Sequence, residues 1–151
     1  RYAEVLLNYA EAVYERDEKI GDSDLDISLN LVRCRINPNM PKLSNALVSD
    51  NGLNMQTEIR RERTIELFLE GFRADDLKRW KTAEKEMPQD MLGIKWSGTE
   101  YQTVNFSYGK DSEGCIIVEG GRKWEDKNYL YPLPSDQLQL NENLKQNPGW
   151  K

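Results

Sequence analysis

Residues 59–80 read IRRERTIELFLEGFRADDLKRW, a helical stretch that stops at Gly71 and restarts at Asp75 or Asp76. Glu62, Glu66 and Glu70 stand four residues apart, so they form one ridge of a helix. Arg60, Arg61, Arg63, Arg73 and Arg79 are within reach of that ridge from the same helix and the next. The pattern predicts a structural ion-pair lattice made of Glu62, Glu66, Glu70, Arg73, Asp76 and Arg79, one that defines geometry more than it adds stability. On the apolar side, Ile59, Ile65, Phe68, Leu69 and Phe72 are the candidates for burial, in a third helix over residues 55–70.

Upstream of this stretch the chain is helical. Tyr2, Val5, Leu6, Tyr9 and Val13 repeat at three and four, predicting a first helix to about Lys19 that is stopped by Gly21. No capping residue precedes Arg1, so the chain reads as a piece of a longer protein. Ser23 or Asp24 can cap a second helix whose stripe Leu25, Leu29, Val32 and Ile36 ends at Asn37-Pro38. Two packed helices follow from that order. Residues 38–54 read as a loop with a short turn near Ala46. A fourth, short helix carries Leu77, Lys78 and Trp80 and fades by Met87-Pro88.

Downstream the texture changes. Val104, Phe106 and Tyr108 alternate with Thr103, Asn105 and Ser107, which predicts a strand pairing with residues 115–118 in one small hairpin. Pro132 and Pro134 frame an extended segment, Ser135 or Asp136 opens a short helix, and Asn147-Pro148-Gly149 makes a closing turn. Residues 1–88 are therefore expected to be helical and 89–151 loop- and β-rich with a wrapping tail.

The composition excludes several functions. A net charge of −5, with 21 basic residues mixed among 26 acids, argues against a nucleic-acid surface. The absence of histidine removes the commonest general base and the commonest zinc ligand together. Cys34 and Cys115 show no metal spacing and read as two free thiols. Asp22, Ser23, Asp24 and Asp26 lack the glycine and terminal glutamate of a calcium loop, and helix capping accounts for them. Carboxylates on one helical ridge point the same way and cannot flank a glycosidic bond, so the sequence assigns no catalytic residue, no metal and no cofactor. No apolar run approaches the roughly 20 residues needed to span a bilayer.

With residues 1–15 (RYAEVLLNYAEAVYE), 29–36 (LNLVRCRI) and 129–150 (YLYPLPSDQLQLNENLKQNPGW), the 59–80 stretch resembles the carboxy-terminal part of the SusD/RagB family, surface nutrient-binding lipoproteins of Bacteroidetes. The resemblance implies a mainly α fold of tetratricopeptide-like helical pairs with a small β-hairpin and a loop-rich carboxy-terminal segment. It also implies an outer-membrane, cell-surface lipoprotein whose anchor is absent from this segment, and which delivers a glycan or other nutrient to a SusC-like TonB-dependent transporter without breaking bonds. Trp80 and Trp150 are assigned to packing.

Sugar rings stack their apolar faces on flat aromatic side chains while nearby amides and acids take the hydroxyls. Trp96, Tyr101, Tyr108 and Trp124, with Gln102 and Asn105 beside them, are the candidate ligand platform; core and hairpin packing is the competing role for the same rings. The other reading of the whole chain is a tetratricopeptide-like protein–protein scaffold with no ligand site of its own. Burial of all four aromatics would favour it.

Overall fold

The alternation of small and large apolar residues on one face of the first helix sets the core. In the computed structural model, which describes residues 1–103 and 107–151, α1 (Tyr2–Asp17) buries Ala3, Leu7 and Ala10. It ends at Glu18, whose left-handed backbone (φ 53°) turns the chain before Gly21. Packing divides the chain into two units, residues 1–73 and 74–151.

In the first unit the expected second helix is two. Helix α2 (Asp22–Asp26) and α3 (Leu29–Arg33) are separated at Ile27-Ser28, where the buried Ser28 hydroxyl donates to the Asp24 carbonyl. The backbone of Gly21 caps α2, and neither Ser23 nor Asp24 serves as its cap. Leu25, Leu29 and Val32 join the core as the spacing requires, whereas Ile36 lies beyond the last turn and is exposed. The segment read as a loop contains α4 (Asn45–Asp50), whose Ser44 hydroxyl accepts from the Leu47 amide at 3.1 Å. Helix α5 (Met55–Glu66) is capped by Asn54, which accepts from Thr57 N at 2.9 Å.

Helix α1 packs against α3 and α5, and Leu7, Leu25, Leu29, Leu43 and Ile59 are its fully enclosed centre. Burying a side chain of this size contributes roughly 1.5–3 kcal/mol. Asn30 closes the side of the core: its amide donates to Leu43 O at 2.9 Å and its oxygen accepts from Leu43 N at 2.8 Å.

Helix α5 stops four residues short of Glu70. Leu67 rotates inward and is buried, Leu69 takes a left-handed conformation (φ 63°), and Gly71 another (φ 85°). Of the residues expected on the buried side, Ile59 is enclosed and Phe72 half-buried, but Ile65, Phe68 and Leu69 are exposed.

The second unit starts within α6 (Arg73–Arg79), which buries Asp76 and Leu77, and continues with α7 (Ala83–Glu86). Strand β1 (Met91–Lys95) pairs antiparallel with β2 (Cys115–Glu119) in the register Met91–Glu119, Leu92–Ile117 and Lys95–Cys115, with two irregularities. The expected strand 115–118 is present and pairs with residues 91–95; the partner expected at 103–108 runs through residues that are not described. Gly93 makes room for the pairing, since a Cβ there would stand 3.2 Å from Val118 Cγ2. Val104, Asn105 and Phe106 lie outside the described residues. Among the described residues an isolated bridge joins Lys110 to Ile116. A 3₁₀ turn (Asp126–Tyr129) and α8 (Ser135–Leu140) complete the described elements. The fold is mainly α with a small two-stranded antiparallel sheet. No helix among the described residues is long and apolar enough to cross a membrane.

Candidate functional site

The turn leaving β1 is built by backbone hydrogen bonds around one carbonyl. Gly114 O accepts from Trp96 N at 2.8 Å and from Ser97 N at 3.1 Å. Gly114 must be glycine here, because its φ is 81° and a Cβ would collide with Ser97. Trp96 O in turn accepts from the Thr99 hydroxyl at 2.7 Å, and Gln102 Oε1 accepts from Gly98 N at 3.0 Å. This turn lays Tyr101 against Trp96, with ring centroids 6.4 Å apart and planes tilted 36°. Trp96 is buried, while Tyr101 stays 55% exposed, so a stable base supports a ring that solvent can reach. Tyr108 is 53% exposed, and Asn105 lies outside the described residues.

Trp124 belongs to a different cluster. It is half-buried and meets Tyr129 edge-on, with centroids 5.1 Å apart. Both line a cleft of about 360 Å³ with Lys81, Glu84 and Asp126. Trp124 Nε1 and the Tyr129 hydroxyl are enclosed and have no hydrogen-bond partner among the described residues. Such a group costs about 1–3 kcal/mol unless water or a ligand satisfies it. The tail fixes this cluster. Trp150 Nε1 donates to Lys127 O and Leu130 O, both at 3.0 Å, Gln146 brackets Leu133 with two hydrogen bonds, and Asn147 donates to Tyr131 O at 2.6 Å. Tyr129, absent from the expected platform, is marked in the sequence only by its place between Trp124 and the proline-framed segment.

The glutamate ridge meets arginines from outside its own stretch. Arg33 holds Glu62 at 2.6 Å, Arg35 holds Glu66 at 2.9 Å, and Arg1 bridges Glu66 at 2.7 Å and Glu70 at 2.9 Å. Burial pushes the Glu66 carboxyl up, but the hydrogen bonds from Arg35 and Arg1 outweigh it and hold the group below the usual carboxylate range. Arg73 donates to the Thr64 hydroxyl at 2.9 Å and Arg79 pairs with Asp76 at 2.8 Å. A carboxylate held charged in this way is a poor proton donor. The acidic loop is spent on structure: Asp22 accepts from Asn45, Asp24 from the Tyr9 hydroxyl, and Asp26 from Lys42 and Asn30. Cys34 and Cys115 are free and half-buried. No group of three or more metal-ligating side chains occurs among the described residues.

Comparison with known proteins is consistent along the chain. The SusD family model matches residues 1–150. A solved SusD-like carbohydrate binding protein from Bacteroides fragilis NCTC 9343 is 31% identical, with a TM-score of 0.77 over 96% of this chain and 28% of its own. A second SusD-like protein from the same organism is 28% identical, with a TM-score of 0.69 over 99% of this chain and 25% of its own. A SusD homolog from Bacteroides thetaiotaomicron VPI-5482 is 28% identical, with a TM-score of 0.63 over 99% of this chain and 26% of its own. The chain thus spans about a quarter of the length of these structures. No functionally curated protein matches it.

Proposed function

The chain belongs to the SusD family, and from that premise we propose that it is the carboxy-terminal portion of an outer-membrane surface lipoprotein that binds a glycan or other nutrient and passes it to a SusC-like TonB-dependent transporter. The match over residues 1–150 carries this reading, and the 31% identical carbohydrate binding protein supports it. Within this segment the ligand platform is assigned to Tyr101 on its Trp96 base, to Tyr108 and to Trp124. Exposed aromatic faces stack on sugar rings, and the Gln102 amide stands beside Tyr101 for hydroxyls. Glu62, Glu66, Glu70, Arg73, Asp76 and Arg79 are assigned to holding the fold, so the protein binds without cleaving.

The test is twofold. The intact polypeptide, expressed with a SusC-like transporter from the same genome, should co-purify with it from outer membranes, and it should be retarded in gels containing the cognate polysaccharide. Recovery in a soluble cytoplasmic fraction with no polysaccharide retardation contradicts the assignment.

A further inference from the structure

A second cleft in the 74–151 unit, about 500 Å³, shares Lys81, Asp126 and Tyr129 with the first and adds Lys78, Lys127 and Pro148. Its basic side chains are of two kinds, those paired with a carboxylate and those that are not. Lys127 is paired with Glu125 at 2.8 Å and Arg79 with Asp76, but neither Lys78 nor Lys81 has a carboxylate within ion-pair distance among the described residues. Each ammonium instead rests on an aromatic face: Lys78 Nζ is 3.7 Å from the Tyr131 ring centroid and Lys81 Nζ is 3.7 Å from that of Tyr129. A ring face holds an ammonium in place without consuming its N–H donors, so both cations are positioned and still able to bind an anion. The backbone contributes to this placement. Lys81 follows α6 in a left-handed conformation (φ 54°) with its N–H on Lys78 O at 3.1 Å, which keeps the two lysines on one short turn.

We propose that this cleft takes a saccharide unit bearing one acidic group, a carboxylate or a sulfate, with the anion on Lys78 and Lys81. Leu130 and Pro148 offer apolar surface to the sugar ring, and the exposed Asp75 and Asp126 accept from its hydroxyls. The inference rests on the nutrient-binding reading and narrows its substrate class to acidic glycans.

The experiment titrates the intact polypeptide with three probes, an oligogalacturonate, a sulfated galactan oligosaccharide and maltoheptaose, at low and high salt. Lys78→Gln and Lys81→Gln remove one charge each, Lys78→Arg restores it, and Lys110→Gln serves as the control. The expected result is tighter binding of one or both acidic probes than of maltoheptaose. That binding weakens about tenfold in each Gln variant, recovers in the Arg variant and falls with salt. Which acidic probe prevails tells carboxylate from sulfate. Equal binding of maltoheptaose, or acidic binding indifferent to both lysines, overturns the inference while leaving nutrient capture standing. Failure of all three probes overturns the inference, while nutrient capture stands or falls separately on co-purification with the transporter.

Discussion

Arg33 of α3 and Glu62 of α5 form a 2.6 Å ion pair with side chains only 16% and 12% exposed. The pair fastens the second helical segment to the helix of the glutamate ridge. It is also anchored on the other side, since Arg33 Nε donates to Pro41 O at 2.7 Å. Removing one partner leaves the other short of water and of charge. Glu62→Gln is expected to lower stability by about 2 kcal/mol, and an Arg33–Glu62 double-mutant cycle to show coupling above 1 kcal/mol, roughly. Chemical denaturation measures both; additive single effects contradict the account.

Glu66 gives the ridge its pH dependence. Its folded-state carboxyl is held below the ordinary value, so the unfolded chain takes up a proton first as the pH falls. The stability it contributes is fully present above the ordinary glutamate pKa, about 4.3, and is lost as the pH drops through the folded value. Denaturant melts across that acidic window should show a steeper decline in the parent than in Glu66→Gln.

Asn30 closes the core by bonding both backbone groups of Leu43. Asn30→Ala strands an enclosed N–H and C=O and is expected to cost about 2–3 kcal/mol. Asn30→Asp, protonated at acidic pH, keeps an acceptor for Leu43 N and an O–H donor and should fall between Ala and the parent; ionised near neutrality it loses the donor and faces the Asp26 carboxylate, and should approach Ala. Thermal unfolding at two pH values distinguishes the cases.

How much of this was legible in the sequence depended on whether the deciding interaction was local. The stripe Leu25, Leu29, Val32 is periodic and folds as its spacing dictates; α1 forms where its repeat predicts a helix, but Tyr2, Val5 and Tyr9 of that repeat are exposed and the buried face is Ala3, Leu7 and Ala10, whose small residues carry little hydrophobic signal. The glutamate ridge was visible because four-residue spacing is helical geometry, but Arg1, Arg33 and Arg35 reach it only through packing of α1 and α3 on α5, which no spacing encodes. Helix α5 was read too long because Ile65, Phe68, Leu69 and Phe72 continue the apolar pattern. The left-handed turn at Leu69 ends it, in a residue type with no intrinsic preference for that conformation. The strand at 91–95 was missed because Gly93 weakens its β signal, although it is the missing Cβ that lets Val118 pack there. At the candidate site, Trp96 and Tyr101 form one unit and Trp124 joins Tyr129. Two clusters replace a single platform, since the turn at Gly114 and the tail at Trp150 position them separately.

Gly114 carries the first of those clusters. Gly114→Ala meets both a left-handed backbone and the Ser97 side chain, so it is expected to destabilise by about 1–3 kcal/mol and to loosen Tyr101 from Trp96. Tryptophan fluorescence should report a more solvent-exposed Trp96 in that variant; an unchanged spectrum contradicts the role given to the turn.

The most direct measurement is affinity electrophoresis of the intact polypeptide through gels containing a panel of neutral and acidic polysaccharides, with reducing-end analysis of the same mixtures and Tyr101→Ala run alongside. Retardation by at least one polysaccharide, no new reducing ends, and a weaker shift for a Tyr101→Ala protein that melts like the parent are the predicted results. Release of reducing ends, or migration indifferent to every polysaccharide, would contradict capture without cleavage.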